Sequence, residues 1–301
     1  MKQLIIYLLK GTALALMVAL AFPACKQGTE PATTEAAPKT CPRIVSLDGA
    51  ITEVLFELDR GSCIVGVDVT STWPEGALAA IPALGHVSRL NAEAILQLKP
   101  DLILAIETEK ENAVLRQLQG AGIACLFLPK PYAPEAPLKM AEAISARLGG
   151  QEELAAMKSK LENDRRALQS KLSQIQSKPR VLFIYARGKG NLMVAGQNTA
   201  AESIIALAGG QNAMTDFEDF RALSAEGLMQ SQPDAILMFS SGLSSLDGID
   251  GLLGIPGVAQ TPAGKRRNII VMEGNYLMNF GPRCLQAALE LATKLHANES
   301  I

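Results

Sequence analysis

A stretch near the middle of the chain, residues 151–177, contains neither glycine nor proline and carries many charges. Its apolar residues recur every seven positions, with two more on the same side, and this pattern predicts one amphipathic helix of roughly 38 Å. Such a helix is longer than one small lobe needs, so we interpret it as a rigid connection between two lobes. A coiled coil with a partner helix is the competing interpretation. The apolar residues are Leu154, Met157, Leu161, Leu168, Leu172 and Ile175.

On both sides of this helix, short apolar runs alternate with amphipathic stretches. This alternation predicts an α/β fold with a largely parallel sheet, here as two Rossmann-like lobes with a ligand cleft between them. The predicted boundaries are 41–149 for the amino-terminal lobe, 150–178 for the connecting helix and 179–301 for the carboxyl-terminal lobe. Strands are predicted at 43–47, 63–67, 101–106, 123–128, 180–185, 192–195, 235–239 and 269–272. Helices are predicted at 51–58, 91–98, 109–118, 137–148, 199–208, 224–231 and 282–296.

The two halves also resemble each other in sequence. Residues 91–104 and 224–237 are identical at seven of fourteen positions, at a constant offset of 133. Each copy begins with a residue suited to cap a helix, Asn91 or Ser224, and each ends its helix at Pro-Asp before an apolar strand. Two lobes of similar topology explain this repeat most simply.

The amino terminus has the pattern of an export signal. The first ten residues contain Lys2 and Lys10, an apolar run follows at 11–22, and the small residue Ala24 precedes Cys25. Residues 1–24 are therefore predicted to be a signal peptide. The thiol directly after the small residue resembles that of a lipoprotein, which predicts lipidation at Cys25 and a membrane-anchored protein on the periplasmic or cell-surface side. An ordinary cleavable signal is the alternative, and residues 25–40 are predicted to be a flexible tether.

Four cysteines follow the tether, and export places them where disulfides form. Their number is too small for a disulfide framework in a chain of this length. Two of them, Cys63 and Cys125, lie in apolar runs predicted to be buried strands. We therefore expect most of the four to be buried thiols; the others are Cys41 and Cys284.

Composition excludes several kinds of function. A net charge of −2 disfavours binding of nucleic acid through a broad basic face. The only histidines are His86 and His296, so a site with three imidazoles is impossible. The motifs GxSxG and HExxH are absent, and the glycines at 188 and 190 lack the third glycine of a dinucleotide fingerprint. An enzyme is therefore disfavoured, although an anchored α/β enzyme is kept as the alternative of another class.

Residues 42–53 and 65–68 resemble the start of the substrate-binding proteins of ABC importers for haem, cobalamin and siderophores. Later segments are similar to the haem-binding proteins of bacterial haemin importers, and together the resemblance covers residues 42–296. It implies a monomer that captures haem as a transported ligand and delivers it to a permease and its ATPase. A cobalamin or ferric-siderophore carrier is the alternative within the class. The later segments are residues 193–196, 199–201, 207–210, 250–253, 256–258, 261–264 and 279–283.

The resemblance implies a cleft in which the usual iron ligand is missing. Many members have Ser-x-Tyr-Pro, in which the tyrosine ligates haem iron, whereas this chain has Trp73 at that position. An indole N–H is only a donor and cannot replace a phenolate, although it can stack on a flat macrocycle. His86 lies in a loop that faces the cleft in the family and is the first candidate axial ligand. Weaker candidates are Tyr132, Tyr185, Tyr276 and Met193.

The resemblance also suggests residues for the ligand's carboxylates and for the permease. Arg89, Arg187 and Arg283 follow strand or loop ends at the family's cleft, and a guanidinium can bind a propionate through two hydrogen bonds. Ordinary surface charge is the alternative for each. This class docks on its permease through one acidic residue on each lobe, for which Glu75 and Glu202 are the candidates. Glu202 has the alternative role of favouring a helix amino terminus.

Overall fold

The computed structural model describes residues 41–297. The predicted signal peptide (1–24), the tether (25–40) and the lipidation of Cys25 lie outside the described residues and stay predictions. Within the described range, no helix is both long enough and apolar enough to cross a membrane.

The amino lobe is built around a parallel sheet with the strand order β2-β1-β3-β4. Strands β1, β2 and β3 are short and almost wholly buried, whereas β4 at the edge of the sheet is mostly half-buried. The strands are β1 (Ile44–Ser46), β2 (Ile64–Val67), β3 (Leu102–Ile106) and β4 (Ala124–Leu128). The helices are α1 (Gly49–Glu57), α2 (Glu75–Leu78), α3 (Ala92–Gln97), α4 (Ala113–Gly120) and α5 (Ala136–Leu148).

The carboxyl lobe contains a second sheet with the order β10-β9-β5-β6-β8, and β7 also pairs with β5. Strands β10, β9, β5 and β7 are parallel, whereas β6 and β8 run antiparallel to their neighbours. The strands are β5 (Arg180–Ala186), β6 (Leu192–Ala195), β7 (Gln211–Asn212), β8 (Phe220–Ala222), β9 (Ala235–Phe239) and β10 (Ile269–Met272). The helices are α7 (Ala200–Leu207), α8 (Ala225–Ser231), α9 (Ser240–Ser244), α10 (Gly248–Leu253), α11 (Pro262–Arg266), α12 (Gly274–Met278) and α13 (Cys284–Leu295).

Helix α6 (Gln151–Leu172) connects the lobes and confirms the predicted fold class. It packs on α1 and α5 of the amino lobe and on α13 of the carboxyl lobe. The helix ends at residue 172 and not at 177 as predicted. Its last turn tightens into i to i−3 hydrogen bonds, in which the N–H of Ile175 donates to the carbonyl of Leu172 (3.1 Å), and both side chains pack beside Gly209.

The sequence repeat corresponds to a structural repeat. In both copies the side chain of the first residue accepts a hydrogen bond from the backbone three residues on, Asn91 from Ala94 and Ser224 from Gly227. The capped helices α3 and α8 are followed by β3 and β9, which occupy inner positions of the two sheets. The predicted similarity of the two lobes therefore holds for this unit.

The cysteines differ in part from the prediction. Cys63 lies in a 3-10 turn just before β2 and forms a disulfide with Cys41, with a Cα–Cα distance of 5.4 Å. The sequence predicts a strand from Cys63 because an apolar run follows it directly, whereas the strand begins one residue later. Cys125 and Cys284 are unbridged, and burial raises the pKa of their thiols to about 11 and about 12. The bond fixes the start of β1 to the start of β2.

A buried ion pair joins the two lobes directly. Arg283, at the start of α13, donates from Nε to Oε2 of Glu53 in α1 (3.0 Å) and from Nη2 to Oε1 (2.6 Å). The two side chains are only 17% and 5% exposed. Burial raises the pKa of Glu53, although the hydrogen bonds and charge of Arg283 act in the opposite direction. The paired geometry satisfies both charges in a place that water barely reaches.

The chain around this ion pair packs closely against the amino lobe. The turn between α12 and α13 brings Gly281 next to Ala50, where a Cβ on the glycine would lie 3.2 Å from the Ala50 Cα. Nearby, the Asn275 side-chain amide donates to the Thr72 hydroxyl (3.2 Å). Residues 41–297 accordingly belong to one compact unit, and the predicted lobe boundaries at 149/150 and 178/179 stay a prediction.

Helix α6 is tied to both lobes by polar contacts on its sides. Lys160 forms an ion pair with Glu57 of α1, and the Gln286 amide of α13 donates to Asp164 (2.9 Å). Apolar packing of Met157, Leu161 and Leu168 completes the contact with the core. These contacts limit how far one lobe can rotate against the other.

Replacing one partner of the ion pair is expected to destabilise the protein more than replacing both. Arg283→Met leaves a carboxylate buried without its partner, which we expect to lower the free energy of unfolding by about 3–5 kcal/mol. Adding Glu53→Gln removes the buried charge and is expected to restore most of that loss. Urea denaturation followed by circular dichroism gives the free energies for a double-mutant cycle.

Glu107 and Lys110 provide the control, because their ion pair lies three residues apart on the surface with both side chains about half exposed. The same cycle is expected to give a coupling free energy below about 1 kcal/mol there. A coupling for Glu53 and Arg283 no larger than this control contradicts the assigned role.

Candidate functional site

Loops that follow the carboxyl ends of strands in both lobes line a cavity of about 670 Å³. Open α/β sheets bind ligands in crevices at this edge, where the parallel strands end and loops diverge. The amino lobe contributes the loop after β2 and helix α2, and the carboxyl lobe contributes the beginning of α12 and of α13. The lining residues are Ser71, Thr72, Trp73, Glu75, Leu78, Ala79, Glu273, Tyr276 and Arg283. We call this space the Trp73 cavity.

The loop that carries Trp73 is held by a buried carboxylate. Asp68 accepts hydrogen bonds from the backbone N–H (3.2 Å) and hydroxyl (2.7 Å) of Thr70 and from the hydroxyl of Ser71 (2.9 Å). Burial raises the pKa of Asp68. The Thr70 hydroxyl oxygen also accepts from the backbone N–H of Gly49 (2.8 Å), and a side chain at position 49 would collide with the Thr70 carbonyl. The loop is therefore set by the first turn of α1.

Trp73 and Tyr276 contact the guanidinium of the buried ion pair. The Cζ atom of Arg283 lies 4.6 Å from the centroid of the Trp73 ring and 5.1 Å from that of Tyr276. These distances are those of cation–π contacts. The indole is 45% exposed, so the cation supports it while it lies open at the cavity. Glu53 uses the Nε and Nη2 edge of the guanidinium and not its Nη1 end.

His86 does not line the Trp73 cavity. It precedes the 3-10 turn Val87–Arg89, and its side chain is exposed. Nδ1 accepts from the backbone N–H of Ser88 (3.2 Å) and lies 2.8 Å from the Ser88 hydroxyl. Both contacts use Nδ1, and as the acceptor of the Ser88 N–H this nitrogen carries no proton in the observed arrangement. Arg89, at the end of the same turn, is exposed and also lies outside the cavity lining.

A second cavity of about 370 Å³ lies in the carboxyl lobe and is lined by apolar and aromatic side chains. Two of the weaker iron-ligand candidates, Tyr185 and Met193, belong to this lining and not to the Trp73 cavity. Arg187 is exposed beside it, with Cζ 5.3 Å from the Tyr185 ring centroid. The lining residues are Phe183, Tyr185, Met193, Ala200, Phe220, Phe239 and Met278. We call this space the apolar chamber.

The other two tyrosines among the iron-ligand candidates, Tyr276 and Tyr132, have different surroundings. Tyr276 lines the Trp73 cavity, and burial, together with the charge of Glu290 and a hydrogen bond to it, raises the pKa of its phenol to about 12. Tyr132 follows β4, is 48% exposed, and packs its ring 5.7 Å from that of Phe280 in the carboxyl lobe. Both tyrosines contact residues of the carboxyl lobe, Phe280 for Tyr132 and Arg283 for Tyr276.

The two candidate docking residues lie in unlike environments. Glu75 is exposed at the first position of α2 and borders the Trp73 cavity. Glu202 is half-buried in a capping arrangement, in which its N–H donates to the Thr199 hydroxyl (3.1 Å) and its Oε2 accepts from the N–H of Asn198 (2.7 Å). The capping alternative for Glu202 is thus observed, and the docking role of both residues stays a prediction.

Sequence reasoning missed Glu53 and the phenylalanines of the chamber. A usable signal existed for Glu53, because it is a carboxylate inside the apolar stretch 50–55 of a predicted helix and so requires a buried partner. Phe239 ends a predicted apolar strand at the edge where ligands bind, which was a weaker signal. Phe220 lies in β8, which was not predicted at all.

The arrangement is suited to binding a ligand. The Trp73 cavity combines an open aromatic face with a cation, and the chamber adds an apolar surface. Among residues 41–297, no group of three or more His, Cys, Asp or Glu side chains is placed to hold a metal ion. A flat ligand with a partly apolar rim and a negative charge fits these surfaces.

Comparison with known proteins gives consistent results. A family model described as "Periplasmic binding protein" matches residues 44–276. The structure is similar to that of the periplasmic haem-binding protein RhuT from Roseiflexus sp. RS-1 in its apo form, with 38% identity and a TM-score of 0.81, covering 86% of this chain and 99% of that one. It is also similar to that of the periplasmic haem-binding protein BhuT in complex with two haems, with 30% identity, a TM-score of 0.81 and coverage of 86% and 99%.

A relative with a different ligand is the cobalamin-binding protein of Halobacterium salinarum, which is 27% identical over 84% of this chain and 69% of its own length. These similarities confirm the class that the sequence resembles, and they exclude the anchored enzyme kept as an alternative. The chain belongs to the periplasmic binding protein family, whose members are substrate-binding proteins of ABC transporters for haem, cobalamin and related ligands.

Proposed function

We propose that this protein is a lipid-anchored haem-binding protein that captures haem outside the cytoplasm and delivers it to an ABC import permease. The observation that carries the proposal is the half-exposed Trp73 indole, stacked on Arg283 at a cavity between the lobes. Its free face offers a flat macrocycle a large stacking surface that is already fixed in place. The similarity to RhuT and BhuT supports haem as that macrocycle.

His86 is proposed as the axial ligand of the haem iron. For Nε2 to ligate, the ring proton has to lie on Nδ1, which then gives up the hydrogen bond from the Ser88 N–H and donates instead to the Ser88 hydroxyl 2.8 Å away. This orienting contact is the usual second bond of a ligating imidazole. Tyr276 is less suited, because the pKa of its phenol is raised to about 12 and its hydroxyl is hydrogen-bonded to Glu290.

The haem carboxylates are proposed to bind at arginines. Arg283 keeps the Nη1 end of its guanidinium for a second acceptor, because Glu53 occupies the Nε and Nη2 edge. The side chains of Arg89 and Arg187 are exposed, and they are also proposed to bind propionates. Each guanidinium offers two parallel donors to a carboxylate.

Capture is proposed to involve little hinge motion. The buried ion pair between Glu53 and Arg283 and the contacts of α6 with both lobes resist rotation. The Cys25 lipid anchor keeps the monomer at the membrane, where its permease and ATPase are located. Haem then moves between carriers by dissociation from a cleft that stays nearly fixed.

Cobalamin is the second candidate ligand, favoured by the relative from Halobacterium salinarum and by the absence of the family's tyrosine at Trp73. Stacking on an indole suits a corrin as well as a porphyrin. Absorbance and fluorescence titrations separate the two ligands.

Haemin is expected to bind the purified apoprotein saturably at micromolar protein, with a change in its Soret band. Trp73 is the only tryptophan of the chain, so its fluorescence reports directly on the cavity and is expected to be quenched with the same midpoint. Cyanocobalamin is the control ligand. No saturable Soret change, together with tight binding of cyanocobalamin, contradicts the proposal.

His86→Ala is expected to change the absorption spectrum of the bound ferric haem, because the axial ligand sets the electronic state of the iron. Ser88→Ala is a matched variant that keeps the imidazole and the backbone N–H but removes the hydroxyl beside Nδ1, and a smaller change is expected. Spectra of the saturated complexes measure both effects. An unchanged spectrum for His86→Ala removes this residue as a ligand.

Permease docking is expected to depend on the charge of Glu75 and Glu202. Glu202→Gln is the informative variant, because glutamine can still accept from the N–H of Asn198 and so keeps the helix cap. We expect it to weaken stimulation of the permease–ATPase complex severalfold in proteoliposomes, as does Glu75→Gln, without lowering the melting temperature. Glu111, which is exposed and forms an ion pair with Arg116, is the control. Normal stimulation by both variants contradicts docking at these residues.

A further inference from the structure

A chain of hydroxyl groups runs from the lining of the Trp73 cavity into the interior of the amino lobe. Ser71 lines the cavity, and its hydroxyl oxygen lies 2.7 Å from that of Thr52 in α1. The Thr52 oxygen lies in turn 2.8 Å from that of Ser46, the last residue of β1. Thr52 and Ser46 are both fully buried. Neither of these two residues has a part in the proposed function.

The buried carboxylate of Asp68 fixes the direction of the hydrogen bonds in this chain. An ionised carboxylate only accepts, and Ser71 donates its one hydroxyl proton to Asp68 Oδ1 (2.9 Å). The Ser71 oxygen then accepts from Thr52, and the Thr52 oxygen accepts from Ser46. The Asp48 carbonyl lies 3.5 Å from the Ser46 hydroxyl, which is a weaker contact than that with Thr52. Thr52 is therefore the central member, since it donates to one neighbour and accepts from the other.

Two successive residues of α1 are connected to Trp73 by different routes. Glu53 binds Arg283, whose guanidinium lies against the indole. Thr52 binds Ser71, which precedes Trp73 by two residues in the loop. A threonine hydroxyl inside a helix ordinarily bonds the backbone carbonyl one turn back, whereas this one contacts side chains of β1 and of the loop. The hydroxyl chain thus gives α1 a second connection to the indole.

We propose that Thr52 is the positioning residue of the Trp73 stacking surface: through the hydroxyl chain it fixes the loop at Ser71, so that the indole is already ordered when a flat ligand arrives. Thr52 acts through Ser71 and contacts no ligand itself, because it is fully buried and lies outside the cavity lining. This inference rests on the proposed function and deepens it, since it names the residue that orders the indole. An ordered side chain loses less conformational entropy on binding, which increases the affinity.

Thr52→Val tests the role because it removes the hydroxyl but keeps the shape of the side chain. It breaks the chain at its centre, so that Ser71 loses a donor and Ser46 loses an acceptor. Trp73 is the only tryptophan of the chain, and time-resolved fluorescence anisotropy of the mature apoprotein therefore measures the mobility of its indole directly. We expect Thr52→Val to increase the amplitude of the nanosecond depolarisation about twofold. Thr52→Ser restores the hydroxyl and is expected to restore the wild-type amplitude, although it lacks the buried methyl group.

Thr261→Val is the matched control in the carboxyl lobe. Thr261 is as buried as Thr52, and its hydroxyl also takes part in two hydrogen bonds, donating to the Val258 carbonyl (2.7 Å) and accepting from the Gly264 N–H (2.9 Å). Both valine variants are expected to lower the melting temperature, because buried polar groups lose a partner in each. Thr261→Val is expected to leave the anisotropy of Trp73 unchanged. A gain of indole mobility with Thr52→Val alone therefore reflects positioning and not lost stability.

Haemin titration measures the consequence for the ligand. Thr52→Val is expected to weaken haemin binding about threefold to tenfold, which corresponds to the loss of one or two hydrogen bonds behind the stacking surface. The Soret spectrum of its saturated complex is expected to equal that of the wild type, since the proposed iron ligand is not altered. Thr52→Ser and Thr261→Val are expected to bind haemin within about twofold of the wild type.

The outcomes separate this inference from the proposed function. The positioning role is overturned, while the proposed function stands, if the indole of Thr52→Val is as ordered as that of the wild type or if its haemin affinity is unchanged. An equal gain of mobility in Thr261→Val also overturns it, because a general loss of stability then explains the effect. If the wild-type protein does not bind haemin, the proposed function is overturned, and the anisotropy of the apoproteins still tests whether Thr52 orders the indole.

Discussion

The cleft depends on one buried ion pair between the lobes. Glu53 of α1 and Arg283 at the start of α13 are distant in sequence, and each would be costly to bury without the other. Their pairing fixes the position of the carboxyl lobe against α1. The same guanidinium supports Trp73 and Tyr276, so the contact that joins the lobes also determines the shape of the candidate binding surface.

The sequence predicted the fold well where local patterns decide the structure. Buried strands such as β3 and β9 are continuous apolar runs, and helices α3 and α8 carry capping residues at their starts. Helices α9 to α12 were not predicted, because each has only five or six residues and is too short for a helical period to emerge. The edge strand β8 is exposed along its length and so lacks an apolar pattern.

The candidate binding site was predictable only in part, because its key contacts are not local. Trp73, Tyr276 and Arg283 were named from a family resemblance, and the cavity brings them together. The pairing of Glu53 with Arg283 and the disulfide between Cys41 and Cys63 both join residues through the tertiary fold. No spacing along the chain specifies either partner. His86, Arg89 and Arg187 were named on the same resemblance but lie outside the lining of the Trp73 cavity, and their roles stay predictions.

Taken together, these features describe a cleft that is formed before the ligand arrives. Its indole is supported by a cation, its loop is fixed by Asp68, and its apolar chamber lies next to the charged cavity. The most direct test is a crystal structure of the protein with haemin bound. The account predicts the macrocycle on the free face of Trp73, with the Glu53–Arg283 pair intact. Haemin bound elsewhere, or a ligand that breaks this ion pair by separating the lobes, would contradict it.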